Sequence, residues 1–175
     1  MILKLKRTPG VYLVGFMASG KTTIGRLLAD ELGWAFADLD EDIVDAHGAA
    51  IADIFDTLGE EEFRKTEQTA ILKRVGQIER GKPMVVALGG GTFVSEANRE
   101  LLIDNGITVW LDCPFDRVCA RIEGSIHRPL ARDPEKFKQL YRDRRAAYEK
   151  AEHRIEIQSD DPAAAVAAIL KLPVF

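Results

Sequence analysis

At 175 residues, with 46% hydrophobic and 30% charged side chains, the chain has the size and balance of one globular domain, residues 1–175, around one buried core. A formal charge of -4 excludes a surface that attracts nucleic acid or an anionic membrane globally, so any anion site must be local. The two cysteines, Cys113 and Cys119, have no second pair to build a zinc site or disulfide framework, and no stretch approaches the roughly 20 apolar residues of a membrane helix. Both cysteines are read as reduced thiols. Lys4, Lys6 and Arg7 precede an apolar run too short for a secretory signal, and a cytoplasmic protein is the expectation.

In chain order, short β-branched runs alternate with longer segments of helical period, which predicts an α/β fold with a parallel sheet covered by helices. Strands are predicted over residues 11–15, 35–39, 84–88, 108–112 and 154–158. Helices are predicted over 21–32, 59–79, 96–105, 115–122, 134–151 and 162–170. The chain carries no internal repeat or low-complexity tract. Residues 123–133, EGSIHRPLARD, hold glycine, proline and charges of mixed sign; the segment reads as a connector or a mobile cover.

The first predicted strand runs into GFMASGKT, residues 15–22, and the first predicted helix follows. Glycines at this spacing let backbone N–H groups close around phosphate oxygens, and the helix N-terminus adds its positive end. Lys21 is then placed to reach the terminal phosphates and the Thr22 hydroxyl to ligate Mg²⁺. A glycine turn before an ordinary helix is the plain alternative. The loop names a nucleotide but no acceptor, since GTPases, ATPases and many kinases share it.

An acceptor must lie at the carboxyl ends of other strands. Asp38 and Asp40, two apart on an extended segment, are expected to face one side, offering one carboxylate to a metal shell and one to an attacking hydroxyl. A solvated loop leading to a helix cap near Asp42 is the alternative. Gly89, Gly90 and Gly91 end the third predicted strand, where three glycines suit a close approach of the backbone to something small. Phe55 and Phe63 are read as core or pocket wall. His47, His127 and His153 show no partner pattern.

These motifs, with IADIFDTLGEEEFRKTE over 51–67, HRPL at 127–130 and RRAAY at 144–148, resemble the shikimate kinase family from about residue 11 to the last helix. The resemblance implies a three-layer P-loop kinase fold with a five-stranded parallel sheet and a lid at about 123–133. It implies transfer of the γ-phosphoryl group of ATP, with Mg²⁺, to the 3-hydroxyl of shikimate. Gly15, Ala18, Ser19, Gly20, Lys21, Thr22 and Thr23 match the phosphate loop, with Arg121 and Pro162 flanking adenine. Thr22 and Asp38 match the metal positions. Asp40 matches the residue that holds the acceptor hydroxyl and acts as base, Arg64 and Arg144 the clamp on the substrate carboxylate, and Gly89 to Gly91 the backbone beside the ring. Arg128 matches the lid arginine on the transferring phosphate. ATP and the small acid are the implied partners of a monomer.

Planar guanidinium groups suit a carboxylate because they engage both oxygens, and Arg64 lies three positions before Glu67, close enough to be oriented by it. Alanine at 146 stands where the family usually has proline, which leaves Arg144 and Arg145 both eligible as clamp. Ala18 stands where glycine is common, and that position is expected to need no positive φ. A kinase for another small hydroxy acid such as gluconate, a nucleotide kinase, and a regulatory nucleotide-binding module without transfer activity are the competing readings.

Overall fold

A computed structural model describes residues 10–123 and 133–175. The elements run β1 (Gly10–Val14), α1 (Lys21–Leu32), β2 (Ala35–Asp38), α2 (Leu39–His47), α3 (Ile51–Leu58), α4 (Glu60–Glu79), β3 (Met84–Ala87), a 3-10 turn (Thr92–Val94), α5 (Glu96–Asn105), β4 (Ile107–Asp112), α6 (Phe115–Ile122), α7 (Pro134–Tyr148), β5 (His153–Glu156) and α8 (Pro162–Leu170). The described strands form one sheet in the order β2-β3-β1-β4-β5, with every pairing parallel.

Every residue of β1 and β3, and all but the first of β4, is buried, the pattern of a parallel sheet covered on both faces. The edge strand β5 instead exposes Arg154 and Glu156 and buries Ile155, which blunts a free edge with charge. Register aligns Asp38 with Ala87, Leu13 with Ala87 and Val14 with Trp110. The carboxyl ends of four strands therefore share one rim. β1 sits between β3 and β4: the connection from β1 runs to the β2 side and the one from β3 crosses back to β4, a reversal at which a crevice opens.

The strand and helix expectations hold to within a few residues, with one region missed. Residues 39–58 carry two helices where one extended residue and unassigned chain were expected. Asp38 ends β2 and caps α2: its side chain accepts from Asp40 N and Glu41 N. Asp40, Glu41 and Asp42 follow in the first turn, where the helix dipole favours anions. The alternative of a cap near Asp42 is thereby corrected to Asp38. At the other end, α7 stops at Tyr148 rather than 151, because Lys150 N and Ala151 N bond the carbonyls of Ala147 and Tyr148, three residues back, at 3.1 and 3.0 Å.

Packing divides into a large cluster around the sheet and a small one of Ile43, Ile54 and Phe63 with Phe55 against it, joining α2, α3 and α4. Arg74 on α4 reinforces that unit through a bidentate pair with Asp42 on α2. The three helices thus carry Asp40 and Arg64 on one body. Among the described residues no helix is long and apolar enough to cross a membrane.

Candidate active site

The phosphate loop spans the turn from β1 to α1. Gly20 caps α1 with φ 97°, a conformation that glycine adopts without a Cβ penalty. Lys21 Nζ donates to the carbonyls of Gly15 and Phe16, both at 2.8 Å, so its charge lies across the loop. Ser19 is fully buried, and its Oγ has no hydrogen-bond partner among the described residues. Thr23 is exposed and lines the adjoining cleft.

Ala18 departs from expectation: its φ is 60°, the left-handed region. For a residue with a Cβ that conformation costs about 1–2 kcal/mol. What holds it is visible. Ala18 O accepts from Arg121 Nη1 at 2.8 Å, and Arg121 is fixed in turn by Asp160 Oδ1 at 3.0 and 3.3 Å. Arg117, one turn earlier on α6, also donates to Asp160 Oδ1, at 3.0 Å. Arg121 and Pro162 line, together with Thr22, Asp38 and Asp40, one cleft of about 1040 Å³.

Thr22 Oγ1 donates to Asp38 Oδ2 at 2.7 Å, while Asp38 Oδ1 accepts from Asp40 N at 3.0 Å. One carboxylate thus serves the loop with one oxygen and the α2 cap with the other. Among the described residues no group of three His, Cys, Asp or Glu side chains forms a closed metal cage. The hydroxyl of Thr22 and the carboxylate of Asp38 are the oxygen donors that suit Mg²⁺ held jointly with nucleotide phosphates.

Asp40 reaches the cleft from the first turn of a helix, so the extended-segment argument is corrected: the two aspartates converge because the chain bends between them. Burial above all, joined by the like charges of Asp38 and Glu67 and opposed by Lys21, pushes the Asp40 carboxyl up to about 6. A carboxylate with that affinity for protons is suited to general base work near neutral pH.

The three glycines lie against this group. A Cβ on Gly89 would sit 2.5 Å from Asp40 Oδ1, one on Gly90 3.0 Å from Arg144 Nη1, and one on Gly91 3.1 Å from Arg64 Nη2 and 3.5 Å from Arg144 Nη2. The close approach expected here is thus first to the protein's own charged side chains. The same Gly90 position is 3.7 Å from Met17 N, so the glycine strip adjoins the phosphate loop. Arg64 Nη1 donates to Glu67 Oε1 at 2.5 Å, and Thr92 Oγ1 donates to Glu67 Oε2 at 2.5 Å. With 2% of its side chain exposed, Glu67 is a buried anchor for Arg64, as its spacing suggested.

The adjacent arginines differ in their partners. Arg145 bonds both oxygens of Asp112, at 2.6 and 3.2 Å, whereas Arg144 faces the glycines. Tyr148, not singled out as a site residue, donates from Oη to Gly90 O at 2.5 Å. Its signal was faint: a tyrosine one helical turn beyond Arg144. Arg117 was also missed, although its position four residues before Arg121 placed both on one helix face. Arg128 and the segment 124–132 lie outside the described residues.

Comparison with known proteins gives the chain a family. The family model described as shikimate kinase matches residues 17–172. A shikimate kinase of Persephonella marina is 39% identical over 161 residues, covering 91% of this chain and 96% of that one. The shikimate kinase of Acinetobacter baumannii, solved in complex with shikimate, superposes with a TM-score of 0.86 at 34% identity, covering 98% of this chain and 96% of that chain. That of Aquifex aeolicus gives 0.77 at 32%, with 92% and 93% covered. The chain belongs to the shikimate kinase family.

Proposed function

We propose that the chain transfers the γ-phosphoryl group of ATP to the 3-hydroxyl of shikimate, with Asp40, Arg64, Arg144 and the glycines at 89–91 as the acceptor site. The observation that carries this reading is the meeting of one carboxylate and two guanidinium groups on a glycine backbone that abuts the phosphate loop. Two guanidinium groups suit a carboxylate, and a raised carboxylate beside them suits a hydroxyl: together they describe a small hydroxy acid. The acceptor is the ring acid that the Acinetobacter baumannii relative was solved with, and the relatives lend no support to a gluconate kinase.

In this mechanism Arg64 and Arg144 fix the acid by its carboxylate, and Asp40 accepts the hydroxyl proton as the oxygen attacks the γ-phosphorus and the bond to the bridging oxygen breaks, releasing ADP. Lys21 supplies positive charge along the loop where the transferred group's oxygens gather charge. Thr22 and Asp38 would hold Mg²⁺, which when bound offsets the charge of the phosphates. Arg121 and Pro162 flank the nucleoside end of the cleft. Replacing Arg64 or Arg144 by alanine should raise the KM for shikimate by about 30- to 100-fold and leave the KM for ATP within a few fold, since each removes a charge-assisted contact to the acceptor alone. An unchanged acceptor KM in either variant contradicts the assignment.

A further inference from the structure

Asp112, at the end of β4, is buried outside the acceptor site and serves no chemical step, yet it accepts from two guanidinium groups at once. Arg145 Nη1 and Nη2 donate to its two oxygens at 2.6 and 3.2 Å, and Arg154 Nε and Nη2 donate to Oδ2 at 2.9 and 2.6 Å. Both guanidinium groups lie over the Trp110 ring, 4.9 and 5.0 Å from its centroid. The neighbouring Cys113 carbonyl accepts from Tyr141 Oη at 2.6 Å, and Arg145 Nη1 reaches that same hydroxyl at 3.0 Å. The end of β4 therefore grips α7 at positions 141 and 145, one turn apart on a single stripe.

Arg144 and Tyr148 form the adjacent stripe, about 100° around the helix. They face the glycines: Tyr148 Oη bonds Gly90 O, and Arg144 lies against the Gly90 and Gly91 backbone. A helix pinned along one stripe has its neighbouring stripe aimed. We propose that Asp112 is a positioning residue for acceptor binding: by holding Arg145 it fixes the roll of α7 that points Arg144 at the acceptor carboxylate. Asp112 thereby also settles which of two adjacent arginines is available as clamp. This inference rests on the reading of Arg144 as that clamp.

The test is a double-mutant cycle on steady-state kinetics, with each variant's fold checked by its melting curve. Asp112→Asn should raise the KM for shikimate about tenfold, with kcat and the KM for ATP within about twofold of the parent, and Asp112→Glu should restore most of the loss. In an Arg144→Ala background, Asp112→Asn should add nothing to the acceptor KM. Because Asp112→Asn leaves two guanidinium groups short of charge and can unfold the chain, Arg145→Gln, which leaves Asp112 its Arg154 partner, provides the second test with the same expected pattern. If Arg144→Ala raises the acceptor KM while the folded Asp112 or Arg145 variant does not, the positioning role is wrong and the clamp stands. Additive effects in the cycle also overturn it. If Arg144→Ala itself changes nothing, the acceptor reading fails first.

Discussion

Asp40 joins structure to chemistry at the level of single residues. Its proton affinity rests on burial, with the like charges of Asp38 and Glu67 beside it, so the folded chain disfavours the ionised form that the reaction needs. The sign is definite. Raised from 3.8 to about 6, the group destabilises the fold above pH 6, and that cost disappears as pH falls below 4. Asp40→Asn should therefore abolish transfer while ATP still binds, and should raise stability at pH 7.5 by about 1–3 kcal/mol, a gain that vanishes near pH 4 in denaturant titrations. In the parent, kcat/KM should fall about tenfold per pH unit below 6 as Asp40 takes up its proton; a flat profile from pH 7 to 5 removes it as base. Ala18 presents the opposite balance. Its left-handed backbone costs about 1–2 kcal/mol, partly offset by the freedom glycine would restore to the unfolded chain, so Ala18→Gly should stabilise by about 0.5–1 kcal/mol. A melting temperature that falls on this substitution contradicts the strain.

Among the elements, the glycine strip and the α2–α4 unit determine how firmly the site is held. At Gly89 a methyl group would meet Asp40 Oδ1 at 2.5 Å, and the movable partner is that carboxylate. Gly89→Ala should fold and lose about 100-fold or more in kcat/KM, because the side chain that yields is the one that must face the acceptor hydroxyl. Full activity in that variant would mean the carboxylate is not held where the reading needs it. Most elements were legible in the sequence because each long helix and buried strand carries its period and its stop signals. Lys21–Leu32 and Pro162–Leu170, for example, open with a glycine loop and a proline. The stretch from 39 to 58 was not, since α2 starts directly after the last strand residue, without an intervening loop, and α3 opens behind Ala50 with no side-chain cap to announce it. Its signal was present in Asp38 followed by three acids, a cap and first turn that also read as a pair of site carboxylates. Asp38 is both.

For the molecule as a whole, the sheet's order brings donor and acceptor chemistry to one crevice. β1 delivers the phosphate loop, β2 leads into the aspartates, β3 ends in the glycines, and β4 anchors the helix that carries Arg144. The pair Arg64 and Glu67 was readable from spacing because both lie on one helix. The different partners of Arg144 and Arg145 were not, because Arg145 bonds Asp112, distant in sequence and brought near only by the fold. The same holds for Ala18, whose conformation is secured by Arg121, 103 positions further along the chain. The most direct measurement is ADP release with shikimate, quinate and gluconate in parallel, with the phosphorylated product identified by phosphorus NMR. Release should depend on shikimate and match, one for one, a phosphate ester at its 3-hydroxyl. ADP release that is indifferent to shikimate, or equally supported by gluconate, would contradict the account.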